Sequence, residues 1–199
     1  APGAARLTTE GGSRDMRHLF AAAGVPLYGA LTAIVSGDYG DGGGYLLISP
    51  ANDGPVDHAS TSVRRNGQLR VEYAPSSSFS TFATVHTFSD DRDVGTALAR
   101  TTRAALDGSF GINWDTAPAG ALTIRAWGSQ QDEDQYTSTI SAVGGVARSK
   151  EVKSAWLHIP THYWGAGLQG SRQHVAFLRT LTMGADYRTM NGFTNETDY

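Results

Sequence analysis

The 199-residue chain contains no cysteine, which removes disulfides, thiolate nucleophiles, thiolate zinc sites and iron–sulfur ligation together. It has no basic excess: 16 Lys and Arg stand against 19 Asp and Glu, for a net charge of -3. Nucleic acid, whose binders carry a basic stripe, is therefore not an expected partner. No run approaches the roughly 18 consecutive apolar residues that a membrane-spanning helix needs, an absence that leaves spanning by strands untouched. Charge itself is scarce, at 18% where about 25% is usual, so polarity must come from Ser, Thr, Gly and Asn. The 24 glycines follow no three-residue period, which excludes a collagen-like chain, and 10% aromatics with little net charge argue against disorder. The length suits a single all-β domain over residues 1–199. The start at Ala1-Pro2-Gly3, without Met or signal peptide, leads one to expect a chain processed or cut from a longer protein.

What is present is alternation of apolar and polar residues, the mark of half-exposed strands. From Ala104 to Trp114, Leu106, Phe110, Ile112 and Trp114 share one face, while Asp107, Ser109 and Asn113 share the other. Leu69, Val71 and Tyr73 oppose Arg70 and Glu72, and after Ala74-Pro75-Ser76-Ser77-Ser78 a strand passes through Phe82 and Phe88. Leu122, Ile124 and Ala126 oppose Thr123, Arg125 and Ser129, reached from Trp114 through a turn at Asp115-Thr116-Ala117-Pro118-Ala119-Gly120. A segment from about His162 to Ser171 is expected to turn at Arg172-Gln173-His174 into a strand carrying Phe177, Leu181, Met183, Ala185 and Tyr187 on one face. Near the start, Leu19, Ala21 and Ala23 form a strand that turns at Val25-Pro26-Leu27-Tyr28 into Leu31, Ala33, Val35 and Tyr39. Gly24, Pro26 and Gly29 follow too closely for a helix there.

Between these hairpins lie polar segments rich in Asp and Gly, at Gly40–Arg65, Ser89–Thr101 and Gln130–Ile159, which read as long loops. Short turns and long loops alternate, so the expected fold is an antiparallel up-and-down meander of about nine strands, with the turns at one end and the loops at the other. Outer-membrane barrels have this asymmetry, with aromatic girdles near the strand ends, where Tyr28, Tyr39, Tyr73, Phe79, Phe88, Trp114, Trp127, Trp164 and Tyr187 are expected. A Greek-key sandwich would not keep the alternation. The fold expectation is thus all-β and part of a transmembrane β-barrel.

Several stretches resemble the TonB-dependent outer-membrane receptors of Gram-negative bacteria. Ala5-Arg6-Leu7-Thr8-Thr9-Glu10-Gly11-Gly12-Ser13 resembles the first barrel strand after the plug domain. Ser36-Gly37-Asp38-Tyr39 with Gly44-Tyr45 resembles the third strand, Asn66-Gly67-Gln68-Leu69-Arg70-Val71-Glu72-Tyr73 the returning strand, and Phe88-Ser89-Asp90-Asp91-Arg92-Asp93-Val94-Gly95-Thr96 the next strand top. Leu181-Thr182-Met183-Gly184-Ala185-Asp186-Tyr187 is similar to a strand pattern typical of these barrels. The resemblance implies the front part of a barrel of about 22 strands, without plug or TonB box, in the cell outer membrane. It further implies membrane lipid as a partner and, in the intact receptor, uptake of a small-molecule nutrient such as an iron chelate, corrinoid or glycan. No enzyme activity and no cofactor are expected, and open strand edges invite self-association.

For ligand contact the outward loops offer Asp41, Asp53 and Asp57, the cluster Asp90, Asp91 and Asp93, and Trp156. Asp38, Asp41, Asp53, Asp57 and Asn52 supply the oxygen ligands calcium takes but not the spacing of an EF-hand, and whether they hold a metal stays open. Local pairing with Arg92 accounts equally for the second cluster. His158 and His162, four residues apart, would sit about 13 Å apart on a strand, too far for one ion. Gly42-Gly43-Gly44 lacks the residues of a phosphate-binding loop, and no G-x-S-x-G occurs. Two alternatives remain beside the receptor: a soluble or surface β protein binding a ligand such as carbohydrate through loops around Trp156 and Trp164, and a hydrolase built on Asp90, Asp91, Asp93 and the histidines.

Overall fold

The computed structural model describes residues 3–116, 120–175 and 177–199. Ten strands follow in chain order: β1 (Ala5–Gly11), β2 (Arg17–Tyr28), β3 (Leu31–Gly42), β4 (Thr61–Ser76), β5 (Phe79–Asp93), β6 (Arg100–Asp115), β7 (Ala121–Val143), β8 (Val146–Val175), β9 (Leu178–Gly192) and β10 (Asn195–Asp198). All pairings are antiparallel, each strand lies beside the next in sequence through β9, and no helix occurs among the described residues. The expected meander is therefore the observed one.

β9 and β10 are one pass of the chain. Both run along β8 in the same register, with Thr161 opposite Gly192 and His158 opposite Asn195. Their separation falls opposite Pro160, which accepts a bond from the Phe193 amide at 3.4 Å but has no N–H to return. Nine passes result.

Connections alternate between two ends. Gly29-Ala30 and Ser77-Ser78 close two hairpins at the turn end, and Gly29 takes φ 54°, a region glycine enters without strain. The expected turn at 115–120 is closed by the Thr116 amide bonding the Gly120 carbonyl at 2.7 Å, while residues 117–119 lie outside the described residues, as do Ala1 and Pro2. At the other, loop end the chain crosses at 12–16, 43–60 and 94–99, and through Gly144-Gly145 at the tip of the β7–β8 hairpin.

Three expectations need correction. The reversal placed at Val25–Tyr28 lies at Gly29-Ala30; β2 continues through Pro26, and a register shift between Pro26 and Tyr28 accommodates the imino acid. Arg172-Gln173-His174 remain in β8, and Phe177, expected in the following strand, stands in the turn and is 93% exposed. Gln130–Ile159 is no long loop: apart from the Gly144-Gly145 tip it forms the outer part of β7 and β8, antiparallel strands of 23 and 30 residues.

The sheet is open, and among the described residues each strand touches only its ladder neighbours, so no second layer covers it. Register assigns every strand residue a face. Ala33, Val71, Ala83, Phe110, Ala126, Ala166 and Tyr187 are successive partners across seven strands. One residue along, on the opposite face, the row reads Thr32, Glu72, Phe82, Gly111, Arg125, Gly167 and Asp186. The first face is an apolar band. The second is polar, and two of its aromatics lie on bare glycines across the ladder: Phe82 on Gly111 and Trp127 on Gly165. Phe88 has the same parity as Phe82, so Phe82, Phe88 and Trp127 face away from the band.

No large hydrophobic residue among those described is buried; apart from Gly95, Gly111 and Gly165, the buried residues are Asp90, Thr96 and Glu133, all polar. Leu69 is 48% exposed and Leu168 51%. A soluble domain of this size places such side chains inside. Here the distribution is inverted.

The band also runs obliquely to the ladder. Tyr39 on β3 marks its loop-side border, and the partners of Tyr39 across the sheet are Arg65, Ser89, Ala104, Asp132 and Pro160. On β8 the bordering aromatic is Trp164, four residues from Pro160 toward the turn end. At ~3.3 Å per residue and ~4.8 Å per strand, that is a slope of roughly 30°.

Candidate functional site at the loop end

Where the apolar band stops, the polar face becomes charged. Glu10, His18, Gly40, Arg64, Asp90, Arg103 and Glu133 are successive partners in one row across seven strands. Opposite charges side by side stabilise such pairings modestly, by about 0.2–1 kcal/mol each. Arg103 bonds Glu133 at 2.7 and 2.8 Å, and the Gln135 amide donates to Glu133 at 2.6 Å. Asp90 pairs with Arg92 at 2.6 Å through one oxygen, while its other oxygen is buried without a partner. His18 bonds Asp38 and lies 3.5 Å from Glu10, and Asn66 donates to Asp38 at 2.8 Å.

Beyond the strands, the crossings are fastened to one another. Arg148, near the tip of the β7–β8 hairpin, grips Asp57 of the 43–60 crossing with two nitrogens at 2.5 and 2.6 Å, and the Asp57 side chain is only 1% exposed. The Gly54 amide donates to the same carboxylate at 2.9 Å, and the Val56 amide to the Arg148 carbonyl at 3.2 Å. A Cβ on Gly54 would lie 2.5 Å from the Ala147 carbonyl oxygen, so the crossing reaches the hairpin only because residue 54 has no side chain. The 94–99 crossing joins through the His58 amide on the Gly95 carbonyl at 3.0 Å and the Leu98 amide on Glu151 at 3.1 Å. Three crossings thus form one assembly.

The Arg148 guanidinium, helped by the Gly54 amide, holds the Asp57 carboxyl below the usual carboxylate range. A depressed carboxylate contributes stability that is complete above its unfolded value, about 3.9, and is lost as pH falls through the lower folded value. The assembly is therefore expected to resist pepsin at pH 4 and to open only in stronger acid. Asp57→Asn should expose the 43–60 crossing to cleavage at every pH with the strands intact. Equal cleavage of both proteins at pH 4 would show that the pair fastens nothing.

The sequence-derived residues separate. Asp57 and Asp93 meet in the assembly, Asp93 accepting from the Gly95 amide at 2.6 Å and lying 3.5 Å from His58. Asp41, next to last in β3, has one carboxylate oxygen buried and unpartnered. Asp53 is exposed in the 43–60 crossing. Asp91 pairs with Arg100 on the face opposite Asp90. Trp156 stacks on Tyr136 with centroids 6.3 Å apart and donates to Asp134 at 2.8 Å, on the face that carries the apolar band further down. His158 also lies against Asp134, at 3.0 Å. Among the described residues no three metal-ligating side chains converge. Arg64, Glu133, Arg148 and Glu151 were not singled out by sequence; their partners are remote in the chain and leave no local pattern. No family model and no curated protein matches the chain.

Proposed function

We propose that the chain is a segment of an outer-membrane β-barrel of the TonB-dependent receptor type, taking part in uptake of a small-molecule nutrient and performing no catalysis. The carrying observation is the pair of faces: an apolar band without any cover on one side of a single sheet, and a polar, ion-paired surface on the other. Lipid supplies the missing cover for the band, and the polar face lines a lumen. From Leu106 to Trp114 the band measures about 26 Å along the strand, a length suited to the hydrocarbon core when inclined. Its slope of roughly 30° approaches the 35–45° tilt of barrel strands. Turns at one end and longer crossings at the other match periplasmic and external sides, and the resemblances at Ala5–Ser13 and Leu181–Tyr187 support the receptor type.

In a bilayer both edges, the free side of β1 and that of β9, must be paired, because an unpaired edge has no water to bond. Further strands of a barrel, or another copy of the chain, would meet that need. Fractionation of the native source tests the proposal. The sequence should be found in outer membranes and require detergent for release; a soluble 21.1 kDa protein would overturn transport.

A further inference from the structure

We infer that the apolar face binds an anionic phospholipid at its turn-side border, with an acyl chain over Gly170 and the phosphate on Arg172 and Arg179. Trp114, Leu122, Gly170 and Met183 are successive partners in one row across β6 to β9, all with the parity of the apolar band. Toward the turns the same face continues with Arg172, opposite Leu181, and then with Arg179 of β9. Arg172 follows Trp164 by as many residues as Trp114 follows Leu106, so it marks the far border of the band on β8. Between these side chains lies a cleft of about 400 Å³, lined by Trp114, Leu122, Gly170, Arg172, Leu181 and Met183 among others, within the size range of small-molecule sites. Its floor is bare: a Cβ on Gly170 would meet nothing nearer than the Ala121 carbonyl oxygen at 4.0 Å.

The charge at this border is of one sign. Among the described residues, guanidinium–carboxylate pairs engage Arg70, Arg92, Arg100, Arg103, Arg148 and Arg188, but neither Arg172 nor Arg179. The strand carboxylates nearest the turns, Glu72 and Asp115, belong to the polar face, where their cross-strand partners are Phe82 and Ala121. Two guanidiniums without a carboxylate on their own face call for an anion, and phosphate oxygens fit their planar fork. A zwitterionic headgroup would bring a cation of its own against them. A free phosphate would leave the groove over Gly170 unfilled. A phospholipid of net negative charge satisfies both ends, its phosphate on the cations and its chain along Trp114, Leu122 and Met183, as basic pockets at a membrane surface hold anionic headgroups.

The inference deepens the barrel proposal by naming the lipid, and rests on it for the presence of a bilayer. Binding is measured by titration calorimetry on the full chain folded in zwitterionic detergent, with short-chain phosphatidylglycerol, short-chain phosphatidylcholine and glycerol phosphate as probes. Phosphatidylglycerol should bind about twentyfold more tightly than phosphatidylcholine, at roughly fivefold for each guanidinium. Arg172→Gln and Arg179→Gln should each weaken it by about fivefold, and added salt should act in the same direction. Gly170→Leu, which fills the floor and leaves the charge unaltered, should weaken it by about tenfold. Arg125→Gln, on the polar face of β7, should change nothing. Both arginines of the site are exposed, so their variants decide the matter whatever Gly170→Leu does to folding. Equal affinity for the two lipids, indifference to both arginine substitutions, or glycerol phosphate binding as tightly as the lipid would each overturn the assignment. Outer-membrane location is read separately by fractionation, so either idea can fail while the other stands.

Discussion

Phe110→Arg is expected to lower the stability of the protein folded in lipid vesicles by about 2–4 kcal/mol, read as a shift in the urea midpoint. Phe110 sits halfway between Leu106 and Trp114 on the apolar face of β6, flanked on the neighbouring strands by Ala83 and Ala126. A guanidinium there would lie near the bilayer midplane, too far from either interface to reach water easily. Ser109→Arg moves the same charge by one residue to the polar face, beside Thr84 and Trp127, and is expected to cost under about 0.5 kcal/mol. The contrast between adjacent positions separates the lipid account from its rivals. If the band faced water, Phe110 would be an ordinary exposed residue and its replacement by Arg would be nearly neutral.

Gly165→Val should cost about 1–3 kcal/mol by the same titration, because the ladder at this point is closed by an absent side chain. A Cβ on Gly165 would lie 2.6 Å from Cζ2 of Trp127 and 2.8 Å from the Tyr187 carbonyl oxygen. The Arg188 guanidinium lies 5.7 Å from the centre of the ring. Adding Trp127→Ala should recover only part of the loss, since the backbone contact with Tyr187 remains. Gly108→Ala is the control: nothing lies within 4 Å of its Cβ, and the substitution should be neutral. Full tolerance of valine at 165 would mean that Trp127 does not rest on the bare backbone.

The parts of the fold legible in sequence are those where the two faces differ chemically. Within the band, period-2 alternation located β4, β6 and β9 because one face carries apolar side chains and the other polar ones. Above the band the contrast vanishes. Gln130-Gln131-Asp132-Glu133-Asp134-Gln135 is polar on both faces, so a paired strand there is indistinguishable from a loop. Pro26 read as a turn because proline usually interrupts a ladder, yet β2 absorbs it by a shift of register. Phe88 and Trp127 read as girdle aromatics because apolarity alone does not tell which face of the sheet carries a side chain, and Trp127 packs on a bare glycine of the polar face. Parity with Ala83, Val85 and Ala126 carries the distinction.

The site was legible only as composition. Asp41, Asp57 and Asp93 were visible as acidic residues in polar segments, but their partners were not. Asp57 and Arg148 are 91 positions apart, and nothing local marks either as half of a pair. The row from Glu10 to Glu133 emerges once the register of six strand pairs is known, since each strand contributes a single residue to it.

The central claim, that one face of the sheet meets lipid and the other does not, is open to direct measurement because the chain has no cysteine of its own. Single cysteines placed in turn from Ala105 to Trp114 along β6, spin-labelled and reconstituted in vesicles, report collision with oxygen dissolved in lipid and with a water-soluble nickel complex. Even-numbered positions should favour oxygen and odd-numbered positions nickel, with the contrast greatest at Phe110. Accessibility to nickel at even and odd positions alike would contradict the account.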